Sequence, residues 1–488
     1  MKSFSIEKIS NACGGELFGD RNLLNREVTS FIIDSRQACE GCAYVAFDGA
    51  RVDGHSFIAD TFAKGAYVCI GEKPYEAKDG EVYIRVDSSQ EALGRIASAY
   101  MKELDIPVVG VTGSVGKTGT KEMVASVLAA SLNVAKTKGN HNNEIGLPLT
   151  CLDTPEEAEV CVLEMGISAE DEMDFLTGIA QPDAAVVTNI GVSHMEILGS
   201  QRGIFDEKIK IAKGLPADGI LALNGDDGFL SGIRDAEIDT RARIVRYGLK
   251  DTNDIYAEDI DLKGIEGSVF TIRGLKAAPD GLRVSLHLPG RHMILNSLAA
   301  AAIGEYFGLD AEKIAAGLED SDTIPGRMNV IKKGGITIVD DAYNASPVSM
   351  KAAIEAVSGG EGRKICVLGN MYELGDDSRQ MHYEVGRFAA EKGVDILFVC
   401  GDLAEDIAKG ALGVSLKADI RESLRDEYTE VMMTSPDVAV VPVFYAYDDN
   451  ADMTAKIIEI LKPGDTVLVK ASNSMKFSDV VKALCEDA

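Results

Sequence analysis

No stretch of this chain approaches the roughly 20 consecutive apolar residues that a membrane-spanning helix needs, although 46% of its 488 residues are hydrophobic. Its start, Met1-Lys-Ser-Phe-Ser-Ile-Glu-Lys, lacks the apolar core of a signal peptide, so a cytoplasmic address without membrane insertion is expected. Positive charge is scarce: 49 Lys and Arg stand against 78 Asp and Glu, for a formal charge of −29. Such a field repels nucleic acid and anionic membranes, and neither is expected as a partner. An anionic small substrate must then be met by local cations, for which Lys117, Arg327 and Lys470 are candidates. A disulfide framework is missing too. The nine cysteines are scattered and odd in number, which points to reduced thiols. Cys39-x-x-Cys42 has no second ligand pair at zinc spacing, so this pair reads as structural or incidental. There is also no internal repeat and no low-complexity segment.

What the chain does have is length and a phosphate loop. At 488 residues it exceeds what one hydrophobic core usually serves, so two or three domains are expected. The segment Ile106-Pro-Val-Val-Gly-Val-Thr-Gly-Ser-Val-Gly-Lys-Thr118 is an apolar strand that breaks into glycines and opens a helix. Gly113 and Gly116 free backbone N–H groups to face an anion, the helix start at Lys117 adds its positive dipole end, and Thr118 offers a hydroxyl to Mg²⁺. The loop is a variant, with Val111 where the strict pattern has glycine. Gly119 is a second oddity, since glycine inside a helix costs about 1 kcal/mol against alanine. Met123, Val124, Val127 and Leu128 nevertheless carry the helical period onward.

Taken in order, residues 1–104 mix short strands and turns, with strands expected at Ser30–Arg36 and Ala43–Phe47. Ser35-Arg36 and Asp53-Gly54-His55 are either surface turns or ligand contacts. Residues 105–323 alternate strand and helix. The runs Glu159–Leu163, Ala184–Thr188 and Gly219–Leu223 are short, continuous and bounded by turn residues, as in strands buried on both faces of a parallel sheet. Ligands collect at the carboxyl ends of such strands. The phosphate loop, Glu164 and His194 all lie just past such ends. In Ile204–Leu215 the residues Ile204, Phe205, Ile211, Ala212 and Leu215 share a face with Lys208 amid them, so Lys208 either snorkels at a core rim or has a function. A strand-rich insert is expected near 255–288. Asn296 lies among apolar neighbours in a helix, as a hydrogen-bonding residue or a structural bridge. Residues 324–488 repeat the alternation at Gly335–Val339, Lys364–Leu368, Ile396–Cys400, Val438–Val441 and Thr466–Lys470, a second doubly wound domain. After its first strand, Asp340 and Asp341 are turn residues or ligand contacts, and Ser346 with Pro347 makes an N-cap and first turn.

Asp34-Ser-Arg36 with Asp53-Gly-His55, Thr112-Gly-Ser-Val-Gly-Lys-Thr118, Gly139-Asn-His-Asn-Asn-Glu-Ile-Gly-Leu-Pro148, Glu164-Met-Gly166, Thr188-Asn-Ile-Gly-Val-Ser-His194, Pro325-Gly-Arg327 and Asp340-Asp-Ala-Tyr-Asn-Ala-Ser-Pro347 occur in this order. Together they make the chain resemble, over its whole length, the Mur ligases, ATP-dependent amide-forming enzymes of peptidoglycan precursor synthesis. The resemblance implies an α/β fold of three domains: a small N-terminal α/β domain for a UDP-muramoyl substrate (1–104), a central P-loop-type ATPase domain with a doubly wound parallel sheet (105–323) and a Rossmann-like C-terminal domain (324–488). The Asp-Asn-Pro-Arg signature of the diaminopimelate-adding branch is absent. That favours a ligase joining D-alanyl-D-alanine to UDP-N-acetylmuramoyl-tripeptide through an acyl phosphate, with ATP and Mg²⁺, as a monomer.

Residue by residue, the resemblance implies that Gly113, Ser114, Val115, Gly116, Lys117, Thr118 and Gly119 hold the ATP phosphates, and that Asn296, Arg327, Asp341 and Asn344 contact the nucleotide. Thr118, Glu164 and His194 would serve magnesium together with Lys208, which matches a lysine the family carries as a carbamate. Lys117, His194 and Lys208 would be the catalytic set. Ser35 and Arg36 would lie near the uridine nucleotide, and Asn142, Asn143 and Ser168 would face the muramoyl-peptide. The chain departs from the family pattern at Gly119, where threonine or serine is common, and at Ala471 and Asn473, where glycine and arginine are more usual. Two other functions remain open at this point, a related ligase of folylpolyglutamate type with another amine substrate and a non-catalytic nucleotide-binding regulator.

Overall fold

The computed structural model describes residues 2–49, 52–191, 195–360, 362–412 and 443–487. Three parallel-rich sheets organise them, beside a two-stranded ribbon of Phe4–Ser5 with Glu27–Val28. The first sheet has five strands in the spatial order Glu16–Gly19, Val82–Arg85, Val68–Gly71, Cys42–Val45, Ser30–Ile32, and only the Glu16–Gly19 pairing is antiparallel. The strand expected to reach Arg36 stops at Ile32. Asp34 accepts the Arg36 N–H at 2.9 Å and caps a 3₁₀ turn, Ser35–Gln37; a short polar side chain that binds its own backbone competes with the ladder. Asp53 does the same for Gly54–Phe57, accepting the His55 N–H at 3.0 Å.

The central sheet has nine strands, in the order Leu282–Leu286, Ser268–Arg273, Ile255–Leu262, Arg243–Gly248, Ile220–Asn224, Ala184–Val187, Val108–Thr112, Val160–Glu164, Val134–Lys136. The seven from Ile255–Leu262 to Val134–Lys136 are parallel, and the two further pairings, with Ser268–Arg273 and then Leu282–Leu286, are antiparallel. The strand-rich segment near 255–288 is therefore no insert; it extends this sheet. Val108–Thr112, Val160–Glu164, Ala184–Val187 and Ile220–Asn224 are buried at every position, which explains why their sequences run apolar without alternation. One face packs the helices Lys117–Ala129, Arg291–Tyr306 and Ala311–Glu319. On the other, Leu93, Ile96 and Tyr100 of the helix Ser89–Leu104 share a core with Leu147, Cys151 and Leu176, so the first sheet and the central one are joined by continuous apolar packing. Among the described residues no helix is long and apolar enough to cross a membrane, and all nine cysteines are free.

The third sheet runs Asn329–Lys333, Ile336–Asp340, Thr466–Lys470, Lys364–Gly369, Ile396–Cys400, Val443–Tyr447, parallel except for its first pair. Four of the five strands read from sequence are here. The fifth, Val438–Val441, lies outside the described residues. Ser346 caps the helix Pro347–Ser358 by accepting the Ser349 N–H, with proline at its first turn.

Candidate functional site

Three adjacent central strands bring their carboxyl ends together. Val111 stands beside Glu164 on one side, and Thr112 beside Val187 on the other. The chain leaving Thr112 turns at Gly113 (φ +145°) and Gly116 (φ +87°) before entering the helix at Lys117. A Cβ at Gly113 would lie 1.9 Å from Thr188 Oγ1, so only glycine fits this left-handed position. The loop is held from behind by the next strand's exit. Val115 N–H donates to Asn189 Oδ1 at 2.9 Å, and Val115 O accepts from Asn189 Nδ2 at 2.8 Å and from Thr188 Oγ1 at 2.6 Å. Sequence reading quoted Thr188 and Asn189 in a motif but gave them no role. Lys117 Nζ curls back to Gly113 O at 2.9 Å. Burial holds its ammonium below the usual lysine value, with the Glu164 charge acting the other way and Arg327 adding to the depression.

Gly119 acquires a reason here. The helix continues to Ala129 through it, and a Cβ would lie 2.8 Å from Asn296 Nδ2. Buried Asn296 in turn accepts from Thr120 Oγ1 at 2.9 Å, a structural bridge between the helices Lys117–Ala129 and Arg291–Tyr306. A cavity of about 330 Å³ opens beside Gly119, bounded by Met123, Leu288, Met293, Ile324, Arg327 and Met328, at the lower end of the range for small-molecule pockets, about 300–1,000 Å³.

Glu164 is buried. Its Oε1 accepts from Asn142 Nδ2 at 2.8 Å, while its Oε2 is buried without a hydrogen-bond partner. An unpaired buried carboxylate oxygen is costly. Such an oxygen, and the Thr118 hydroxyl at the phosphate loop, are donors of the kind that suits Mg²⁺, so in chemistry these residues fit the ion. His194, assigned to the same set, lies outside the described residues. Lys208 is 1% exposed, at the last turn of the helix Gln201–Lys208. Ile204, Phe205, Ile211, Ala212 and Leu215 around it are buried as the stripe implied, although Ile209–Ala212 tightens into a 3₁₀ turn. Its neighbours Glu207 and Lys210 pair with each other at 2.6 Å, and no carboxylate among the described residues pairs with Lys208. Burial pushes its amine well below the usual lysine value, and the Lys117 charge adds to this.

The third sheet presents its own strand ends. Asp341 Oδ2 accepts from Lys470 Nζ at 2.5 Å, its Oδ1 accepts the Met328 N–H at 3.1 Å, and Lys470 also donates to Asn344 O at 2.9 Å. Asp340 accepts the Gly326 N–H at 2.7 Å. The two aspartates thus clamp the linker 326–328 onto the sheet, and Lys470, a candidate local cation for an anionic substrate, is paired with Asp341. Arg327 stacks over the Tyr343 ring, 4.1 Å from its centre. His292, which sequence reading passed over, carries a buried Nδ1 without a hydrogen-bond partner. Burial lowers its affinity for a proton, with Asp341 and Lys470 acting in opposite senses. Nothing in the local pattern signals a residue of this kind, since the charges that act on it, Asp341 and Lys470, lie far along the chain.

The other expected residues are placed as follows. Asn143 Oδ1 accepts the N–H of Gly146, first residue of the helix Gly146–Leu152, at 2.8 Å, and Ser168 is tied to Glu172, its N–H donating at 2.5 Å. Asn344 Oδ1 accepts the Ala345 N–H at 2.9 Å. Arg36 grips Asp34 with two guanidinium nitrogens while its side chain is 87% exposed, and Ser35 O accepts from Lys64 at 3.2 Å. No hydrogen bond among the described residues links this turn to the phosphate loop.

A phosphate loop, a buried carboxylate with one unpartnered oxygen and a buried lysine without a carboxylate partner among the described residues, all at the central sheet of three, define an ATP-dependent ligase of the Mur class, and the chain belongs to the Mur ligase family. Family models match it over residues 27–101 (Mur ligase family, catalytic domain), 111–304 (Mur ligase middle domain) and 326–473 (Mur ligase, glutamate ligase domain). Among curated relatives, the UDP-N-acetylmuramoyl-tripeptide–D-alanyl-D-alanine ligase of Bacillus subtilis is 38% identical, covering 93% of this chain and 92% of its own length. That of Escherichia coli is 30% identical over 100% of this chain and 99% of its own. The crystal structure of MurF from Acinetobacter baumannii superposes with a TM-score of 0.85 at 28% identity, covering 100% of this chain and 99% of that one. MurF ligase from Thermotoga maritima in complex with ADP gives 0.79 at 29% identity, covering 94% and 98%.

Proposed function

We propose that this chain joins D-alanyl-D-alanine to UDP-N-acetylmuramoyl-tripeptide at the expense of ATP, as its relatives of that name do. The observation that carries the reading is the convergence of Lys117, Glu164 and Lys208 at the phosphate-loop end of one parallel sheet, in a chain that matches those ligases along almost their full length. Residues 1–104 bind the UDP-muramoyl end, with Ser35 and Arg36 at the uridine nucleotide. Residues 105–323 bind ATP, and residues 324–488 close on the nucleotide and carry the dipeptide.

In the first step an oxygen of the tripeptide's terminal carboxylate attacks the γ-phosphorus of ATP, and ADP leaves. In the second the dipeptide's amine attacks the acyl phosphate, loses a proton and displaces inorganic phosphate, leaving an amide. The first step brings two anions together. Unit charges about 4 Å apart repel by about 4 kcal/mol at an effective dielectric of 20, roughly a thousandfold in rate. Lys117, with the N–H groups of Gly113–Gly119, offsets this at the phosphates. Thr118, Glu164, His194 and Lys208 as a carbamate would hold Mg²⁺, which supplies charge neutralisation and Lewis-acid polarisation of phosphate oxygens when bound. A depressed amine favours that modification of Lys208, because only a neutral amine adds to CO₂. Asn296, Arg327, Asp341 and Asn344 contact the nucleotide, and Arg327 also lines the cavity at Gly119. Asn142, Asn143 and Ser168 face the peptide, with Asn142 also steering Glu164. We place the enzyme in the cytoplasm as a monomer acting on small molecules, without nucleic-acid partners.

Phosphate release tests the reading. It should require ATP, Mg²⁺, the UDP-muramoyl-tripeptide and D-alanyl-D-alanine together. Release with free amino acids or folyl substrates in place of the dipeptide would transfer the chain to another branch of the family, and nucleotide binding without turnover would make it a regulator.

A further inference from the structure

Lys121 is absent from the proposed chemistry, yet it is buried as completely as Lys208, at 1% exposure. It follows Lys117 by four residues on the helix Lys117–Ala129, one turn on and along the same face. Its Nζ donates to Thr137 O at 2.6 Å and pairs with Glu122 Oε1 at 2.7 Å, and Glu122 also pairs with Lys136. Thr137, itself buried, leaves the edge strand Val134–Lys136, which has a neighbour on one side only. Its Oγ1 accepts the Glu164 N–H at 2.9 Å. Five residues later the same segment supplies Asn142, whose amide donates to Glu164 Oε1. Both grips on Glu164, one on its backbone and one on its carboxylate, therefore hang from a segment that Lys121 anchors to the phosphate-loop helix.

We propose that Lys121 is a positioning residue for the ligation reaction: through Thr137 it fixes Glu164 in register with the phosphate loop, so that nucleotide and Mg²⁺ are bound as one unit. The inference rests on the assignment of Glu164 to magnesium. A lysine is suited to this task because its ammonium reaches across the helix–strand gap to a backbone carbonyl that no ladder partner serves, while Glu122 balances its charge inside the fold. Partners one step removed from a metal ligand typically contribute about 10- to 100-fold to metal affinity or activity. That is the size expected here.

The test compares Lys121→Met, Thr137→Val and the double variant with the wild type, measuring ADP affinity by calorimetry with and without Mg²⁺ alongside kcat and each KM. Lys121→Met should leave ADP affinity without Mg²⁺ and the KM for the UDP-peptide within about twofold of wild type. The gain in ADP affinity on adding Mg²⁺ should fall by about tenfold or more, kcat should fall by about 10- to 100-fold, and Lys121→Arg should restore part of both. Thr137→Val should reproduce the loss, and the double variant should be no worse than the poorer single one, because the two residues act in series. Equal losses with and without Mg²⁺, additive losses in the double variant, or an unchanged Mg²⁺ gain would each overturn the proposal. If Lys121→Met does not fold, Thr137→Val carries the test alone, since it removes only a hydroxyl. A wild-type protein with no Mg²⁺-linked gain in ADP affinity would instead sink the magnesium assignment itself.

Discussion

Replacing Lys208 by methionine should make the protein more stable and inactive. Lys208 is 1% exposed and no carboxylate among the described residues pairs with it; burying an ammonium without an ion partner costs stability, on the order of 1–3 kcal/mol. Methionine keeps an unbranched apolar stem and removes that cost, so in chelated, CO₂-depleted buffer at pH 7 the variant should gain about 1–3 kcal/mol. At about 2–4 °C per kcal/mol for a domain of this size, the melting temperature should rise by a few degrees. The pH dependence fixes the sign. The folded amine binds its proton less tightly than the ordinary value of 10.5, so the wild type's penalty is fully present below the folded pKa and fades as pH rises toward 10.5. The advantage of Lys208→Met should shrink over that window. Adding bicarbonate and Mg²⁺ should then stabilise the wild type and leave the variant unmoved. A variant that melts below the wild type in the chelated buffer would refute the reasoning, because the amine would have to be making a stabilising contact.

Lys117→Ala should lower kcat by about 10²–10³-fold, the loss typical when one donor to developing charge is removed, with a far-ultraviolet circular dichroism spectrum like that of the wild type. Lys208→Ala should regain measurable turnover when short carboxylic acids are added, and no rescue in a steady-state assay would remove the carbamate role. Asp341→Ala leaves Lys470 charged and buried, so urea unfolding should report a loss of about 3–5 kcal/mol, and adding Lys470→Met should recover most of it. Gly113→Ala meets both a φ of +145° and a Cβ position 1.9 Å from Thr188 Oγ1. ATP binding should be lost, and stability should fall by about 1–3 kcal/mol.

The core strands were legible because burial on both faces leaves short, unbroken apolar runs, as at Val160–Glu164 and Ala184–Val187. The phosphate loop was legible because its glycines answer to backbone geometry. Edge and half-buried strands were not: Val134–Lys136 is partly exposed, and nothing in its three residues separates it from a turn. The segment 255–288 read as an insert because its strands alternate like a free-standing hairpin, whereas Tyr247 and Gly248 pair with Ile255 and Tyr256 to continue the central sheet. For the site, Lys208 stood out as a charge on an apolar stripe. Lys121, no less buried, did not, because its partner is a backbone carbonyl that the sequence gives no means of placing. The same limit hid the Asp341–Lys470 pair, whose members are 129 residues apart.

The most direct test of the central claim follows an oxygen atom. With the terminal carboxylate of the UDP-muramoyl-tripeptide labelled with ¹⁸O, turnover with ATP and D-alanyl-D-alanine should yield inorganic phosphate carrying one ¹⁸O, alongside a pentapeptide product of the mass expected for the new amide. Unlabelled phosphate released together with that product would contradict phosphoryl transfer to the carboxylate, and with it the account of the site given above.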